Sequence, residues 1–304
     1  MPNTEHANTA PNETTNTTVD PLELRSIAIR VAEVAAHHVR TRRPEVFGGV
    51  GAHRLADAPD SVQSKSTPTD PVTVVDTETE QVARTLLGEL RPHDAILGEE
   101  GGGSESMAGV RWVIDPIDGT VNFLYGVPAY AVSVAAQVDG HSVAGAVVDV
   151  AREFTYAAAL GHGATRTDSA GSTAELRCND VDTVDFALVA TGFGYGARRR
   201  EEQGALIAKL LPQIRDIRRI GSAALDLCMV AAGLVDAHFE HGLSPWDWAA
   251  GALIASEAGA RVHVPSADTM SDAGEVTLAV APGIADDFVV LLTRLDAYRA
   301  IPND

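Results

Sequence analysis

The chain has 304 residues, 45% of them hydrophobic, with 42 Asp and Glu against 23 Lys and Arg and a formal charge of −19. That length supports one large or two modest hydrophobic cores. The charge argues against nucleic acid or anionic membrane as a partner, because both require a cationic footprint. A phosphorylated substrate is compatible with it if bound divalent metal neutralises some of the carboxylates.

Residues 1–19 are rich in Thr and Asn and nearly devoid of large apolar side chains, which predicts a disordered tail. No charged-then-apolar leader opens the sequence and no apolar run reaches membrane-spanning length, so the expected location is the cytoplasm. Cys178 and Cys228 make neither a metal pattern nor a disulfide framework, and read as inert buried thiols. Apolar residues at helical spacing predict a first helix over 22–42, with His37 and His38 at its end. The Gly-, Pro- and Ser-rich residues 44–69 read as a loop with room for short strands. A second helix opens near Asp76 and places Val82, Leu86, Leu87 and Leu90 on one face. Asp76 and Glu80 there suit the positive end of the helix dipole and by themselves need no other role. Residues 95–97 read as a buried strand delivering Glu99 and Glu100, of which strand alternation lets only one face a common site.

The run WVIDPIDGTVNF, residues 112–123, carries the densest chemistry. An apolar strand ends in Asp115-Pro116-Ile117-Asp118-Gly119-Thr120, so two carboxylates emerge where Pro116 stiffens the turn and Gly119 frees it. A helix following at Thr120 would aim unpaired N–H groups at an anion. Hard cations such as Mg²⁺ are held by carboxylate and carbonyl oxygens together with substrate phosphate. The same residues would also suit an ordinary acidic strand end with a helix cap.

Further along, strands are predicted over 130–138, 143–150 and 154–158, with Asp139-Gly140 as a hairpin turn. Strands over 186–191, 217–220, 234–240 and 276–280 alternate with helices over 201–211, 222–232, 245–257 and 285–298. Gly192-Phe193-Gly194-Tyr195-Gly196 lacks dinucleotide spacing. His238 and His241, three apart near Asp247, raise a transition-metal site, although a surface or supporting role suits them better.

Four acidic elements thus end a strand or open a helix: Asp76, Glu99, the Asp115/Asp118 pair and Asp247. In the stretches DPVTVVD (70–76), ILGEEGG (96–102), WVIDPIDGTVNF (112–123), RRIGSAALDLCMVAAG (218–233) and EHGLSPWDWAAGALIASEAGARV (240–262), the chain resembles the inositol monophosphatase family. That is a family of Mg²⁺-dependent, Li⁺-sensitive sugar phosphatases, and the resemblance spans residues 22–292. It implies a layered α-β-α-β-α sandwich with a metal-binding half over residues 20–182 and a second half over 183–300. It implies two or three Mg²⁺ per active site, a homodimer, and a sugar or polyol phosphate as substrate. Carried over by position, Glu99, Asp115 and the Ile117 carbonyl would bind a first Mg²⁺, and Asp115, Asp118 and Asp247 a second. Thr120, hydrogen-bonded to Asp76, would orient or deprotonate the attacking water, while the N–H groups of Gly119 and Thr120 hold phosphate. Glu240 and the backbone around Ala223 would meet the polyol hydroxyls. The loop before Lys65 is longer than in animal members.

Overall fold

Residues 131–175 form an antiparallel meander whose first turn is Asp139-Gly140. Both turn residues have positive φ, 49° and 78°, the geometry that matches the twist of the flanking strands. The computed structural model describes residues 19–48, 62–64, 71–103 and 109–303; the expected disordered tail up to residue 18, residues 49–61 and 65–69 of the 44–69 loop, and Asp70 lie outside them.

The elements in order are α1 (Pro21–Phe47), β1 (Val62–Ser64), β2 (Pro71–Thr73), α2 (Val74–Leu90), β3 (Ala95–Gly98), β4 (Gly102–Gly103), β5 (Val110–Asp118) and α3 (Thr120–Tyr125). The meander follows as β6 (Ala131–Val138), β7 (His141–Asp149), β8 (Phe154–Ala159), β9 (Ala164–Thr167) and β10 (Thr173–Glu175). Then come β11 (Leu188–Thr191), α4 (Ala197–Leu210), β12 (Asp216–Arg218), α5 (Ala223–Ala231) and β13 (Ala237–His241). The chain closes with α6 (Pro245–Glu257), β14 (Arg261–His263), β15 (Val276–Val280) and α7 (Ala285–Arg294).

An eight-stranded sheet has the order β10-β9-β8-β7-β6-β5-β3-β4, and a five-stranded sheet the order β12-β11-β13-β15-β14. Three apolar clusters stack the layers. Leu24, Val31 and Val39 of α1, with Val75 and Leu87 of α2, cover one face of the larger sheet through Trp112, Val132 and Val148. Its other face meets α5 and α6 through Ala135, Val147, Leu227 and Ile254, and these helices also touch Ala190 and Ala279 of the smaller sheet. Beyond that sheet, Leu206 and Leu210 of α4 pack with Phe288 and Leu292 of α7 on Val189, Phe239 and Leu278. The result is a mixed α/β sandwich in five layers.

Three local readings of the sequence are corrected. Helix α1 does not stop near residue 42; it runs on through Pro44 to Phe47. Tertiary contacts hold its last turns: Arg42 pairs with Glu78, Arg43 Nε donates to the Phe123 carbonyl at 3.0 Å, and the Phe47 and Phe123 rings meet edge to face. In α2 the fully buried residues are Val75, Asp76, Thr79, Glu80, Ala83 and Leu87, so two acids lie on the inner face and Val82, Leu86 and Leu90 are only half-buried. Strand β5 does not end before Asp115. It continues to Asp118 through a register shift opposite Ser133 and Ala131, where Pro116, lacking an N–H, is tolerated as bulges tolerate it.

The middle layer depends on small residues. A Cβ at Gly251 of α6 would lie 2.8 Å from Leu227 Cβ of α5. Gly→Ala in a helix interior normally gains about 1 kcal/mol, but overpacking costs about 1–3 kcal/mol, and a Cβ–Cβ clash has no flexible end to yield. Gly251→Ala is therefore expected to destabilise the protein by about 1–2 kcal/mol. Gly204→Ala in α4, where nothing stands within 4 Å, should stabilise it. Denaturant titration of the two variants checks the pair; a stabilised Gly251→Ala would show that the layers are not in close contact there.

Candidate active site

The carboxylates expected at the site come from both sheets, from the start of α6 between them and from the start of α2 on the outer face of the larger sheet. Carboxylate oxygens of Asp115, Asp118 and Asp247 lie within 4.8 Å of one another. Each is held by backbone N–H groups. Asp115 Oδ1 accepts from Ile117 N at 3.0 Å, and Asp247 Oδ2 accepts from Ser244 N at 2.6 Å in a capping box at the start of α6. Asp118 Oδ2 accepts from Ser222 Oγ at 2.6 Å and from Ala224 N at 2.7 Å, with the Ala223 N–H also directed to it. The first turn of α5 is thus spent on an aspartate of the other sheet.

Asp76 is fully buried, and Thr73 fixes it: the Thr73 N–H donates to Oδ2 at 3.0 Å and the Thr73 hydroxyl makes a short bond to the same oxygen. The other oxygen, Oδ1, faces the Thr120 hydroxyl at 3.1 Å, which also lies 3.0 Å from the Ile117 carbonyl. Gly119 precedes Thr120 at φ 98°, with a prospective Cβ 3.0 Å from the carbonyls of Ala129 and Gly221, so only glycine fits this turn. Asn122 ties the same helix to both neighbours, donating to Ala129 O and Ile220 O at 2.7 and 2.8 Å.

Glu99 and Glu100 follow β3 in a turn, not in the strand, so alternation does not apply to them. Both act electrostatically on Asp76, and Glu99 also on Asp247. Their turn is shaped by Glu80, whose buried carboxylate accepts from Glu100 N at 2.8 Å, Gly101 N at 2.9 Å and Arg84 Nε at 2.6 Å. Glu80 is therefore more than a dipole partner. Glu240 lies across the site with its carboxylate directly over Gly192, where any Cβ would fall about 2 Å from it. Arg219, stacked over Phe193, favours the ionised forms of Asp118, Asp226 and Glu240 by its charge. Beside it opens a cavity of about 520 Å³ lined by Asn122, Tyr125, Phe193, Tyr195 and Arg200.

Burial sets the electrostatics. It raises Asp76 and Glu240 to about 7. Asp118 is also raised by burial, and Asp247 well above its usual range by burial and then by Asp118 and Glu99. Converging buried carboxylates cannot all ionise without a counter-charge, and an all-oxygen donor set of this kind fits a hard divalent cation. Thr73, Glu80, Ser222, Ser244 and Gly192 were not singled out as site residues from sequence. The T-x-x-D and S-x-x-D capping spacings around Asp76 and Asp247 carry two of them.

His238 and His241 do not form a pair and neither is on the surface. Both are buried. His241 lies 2.8 Å from the Ala297 carbonyl, and His238 faces Asp226.

A five-layer α/β sandwich that brings three aspartates together, two of them buried, beside a Thr–Asp pair is the architecture of a phosphatase, and the chain is an enzyme of that class. It belongs to the inositol monophosphatase family, whose model matches residues 20–293. It is 55% identical over 289 residues to the inositol-1-monophosphatase SuhB of Mycobacterium tuberculosis, covering 93% of this chain and 98% of the relative. The solved structure of Mycobacterium tuberculosis SuhB superposes with a TM-score of 0.77, covering 92% of this chain and 99% of that one. The Escherichia coli Nus factor SuhB is 39% identical over 206 residues, covering 67% of this chain and 75% of the relative.

The raised carboxyls fix a sign for stability against pH in protein stripped of metal. Asp76 and Glu240 keep their protons up to about pH 7 when folded but lose them near 4 when unfolded. The native state thus binds more protons across that window, and stability falls as pH rises through it. Chelator-treated protein is expected to melt several degrees lower at pH 8 than at pH 5, with added Mg²⁺ recovering most of the loss. Scanning calorimetry reads this; a melting temperature flat or rising between the two would mean the carboxylates are not confined as described.

Proposed function

We propose that the chain hydrolyses polyol phosphomonoesters, with myo-inositol 1-phosphate as the reference substrate, in a Mg²⁺-dependent reaction. The convergence of Asp115, Asp118 and Asp247 within 4.8 Å carries the reading. Glu99, Asp115 and the Ile117 carbonyl would hold one Mg²⁺, and Asp115, Asp118 and Asp247 another, for two or three cations in all. Bound Mg²⁺ supplies Lewis acidity, a more acidic water and charge for the leaving alkoxide.

The protein's own groups supply position and proton transfer. Asp76, pinned at Oδ2 by Thr73, presents Oδ1 to Thr120 and takes up protons near neutrality. The pair would therefore draw a proton from the attacking water through Thr120 Oγ1. The N–H groups of Gly119 and Thr120 would hold phosphate oxygens. Glu240 would accept a polyol hydroxyl, with Gly192 leaving room for its carboxylate and the backbone at Ala223 closing that side. In-line attack in such a site needs no phospho-enzyme. The same reading makes the enzyme a cytoplasmic homodimer acting on a small molecule, with neither nucleic acid nor membrane as partner.

Histidinol phosphate, fructose 1,6-bisphosphate and adenosine 3′,5′-bisphosphate are the competing substrates on this scaffold. The name Nus factor borne by the Escherichia coli relative favours a second reading, a regulatory binding protein. The intact Asp76–Thr120 contact and aspartate cluster weigh against a purely non-catalytic role. Phosphate release from this substrate panel at saturating Mg²⁺ tests the proposal. The highest kcat/KM is expected for inositol 1-phosphate, with no turnover under chelation; turnover undiminished by chelation would remove the metal from the reaction.

Asp115→Asn and Asp247→Asn should each lower kcat by more than the roughly 10–100-fold cost of losing an outer partner of a metal ligand. The amide oxygen introduced by Asp247→Asn can still accept from the Ser244 N–H, so the helix cap survives. A purely capping Asp247 predicts the reverse: a stability loss of about 1 kcal/mol at most and full turnover per folded molecule.

Li⁺ is expected to inhibit at millimolar concentration and nearly uncompetitively, since a second cation site completed by substrate phosphate binds a small cation best when phosphate is present. Equal inhibition by Li⁺ and K⁺ at matched ionic strength would rule out a site of Mg²⁺ dimensions.

A further inference from the structure

Behind Glu240 lies a second cluster that the phosphatase reading does not use. His238 and Glu240 are two apart on β13 and so share a face. Opposite them, in the first turns of α5, stands Asp226. One donor atom from each of Asp226, His238 and Glu240 lies within 4.8 Å of the others. His238 and Asp226 are 0% and 1% exposed. Neither ring nitrogen of His238 has a hydrogen-bond partner, nor has Asp226 Oδ1. Such orphaned polar groups are rare in a native interior and call for an explanation.

The spacing narrows it. His238 Nδ1 stands 3.7 Å from Asp226 Oδ2, too far for a hydrogen bond. Two ligands of a tetrahedral cation at about 2.0–2.2 Å from the metal are about 3.3–3.6 Å apart. Burial also holds the His238 imidazole neutral, the form that ligates metal, by pushing it down to about 3.

We propose that Asp226, His238 and Glu240 form a binding site for a divalent transition-metal ion, separate from the aspartate cluster of the phosphatase centre. One imidazole with two carboxylates suits Zn²⁺, Co²⁺ or Mn²⁺, whereas Mg²⁺ prefers an all-oxygen shell with several waters. Asp118 and Arg219 are the charges that act on Asp226 from outside the triad, one of each sign. An ion seated there engages Glu240. On the phosphatase reading, which this consequence alone requires, it withdraws Glu240 from the polyol and raises KM severalfold.

The test uses the full-length protein at saturating Mg²⁺, titrated with Co²⁺ and followed by visible absorption and by metal analysis after desalting. One retained Co²⁺ per chain with a ligand-field band is expected, persisting in Asp115→Asn and lost in His238→Phe and His238→Gln. Two histidine variants are compared so that one misfolded protein cannot decide the result. Co²⁺ lost in Asp115→Asn, or retained in a folded His238 variant, would place the ion in the aspartate cluster and overturn the proposal. No retained Co²⁺ at all would overturn it too, leaving a buried water as the partner of His238. Metal uptake is read without substrate, so its failure is distinct from a failure of the phosphatase reading. In the kinetic arm, micromolar Zn²⁺ should raise KM for inositol 1-phosphate in the wild type and leave His238→Phe unaffected.

Discussion

Buried negative charge is the constraint on which this molecule is built. Asp76, Asp115, Asp118 and Asp247 are brought together in an interior that disfavours their ionised forms, and each has one oxygen fixed by a backbone N–H. Those donors are groups that helices and a bulge leave over: the ends of α2, α5 and α6, and the irregular step in β5 at Pro116. Secondary-structure termini thereby become the positioning device. Because the donors are main-chain atoms, the carboxylates are placed as accurately as the layers are stacked.

The stacking in turn depends on small side chains. Helices α5 and α6 lie between two sheets and approach each other closely at Gly251 against Leu227, while Gly145 of β7 lets Ala250 of α6 approach the larger sheet. Bulk at these points would push the start of α6, and Asp247 with it, away from β5. The alanine-rich composition of residues 223–232 and 249–258 therefore bears on the site as well as on the core. Gly192 applies the same economy of volume directly beneath Glu240.

Much of this was legible in the chain. The strand–helix alternation of the second half and the Asp247 helix start follow from turn chemistry and periodicity, and those elements form, with ends shifted by up to four residues. The departures have physical causes. Periodicity put the apolar side of α2 at Val82 and Leu86, but buried acids with dedicated donors took the inner face, which a hydrophobic pattern cannot register. The end of α1 was misplaced because Arg43 and Phe47 are held by Phe123, 80 residues away for the arginine contact. His238 meets Asp226 only after β13 and α5 are packed, and spacing to His241 was the wrong distance to measure. The short edge strand β14 carries too few residues to show alternation.

The bond from Ser222 to Asp118 spans 104 residues, and that from Ala224 spans 106. A ribosome emits Asp76, Glu99, Asp115 and Asp118 long before it emits Ser222, Ala224 or Asp247. Asp118 therefore has its hydroxyl and backbone donors, and its neighbour Asp247, only once α5 and the start of α6 are in place.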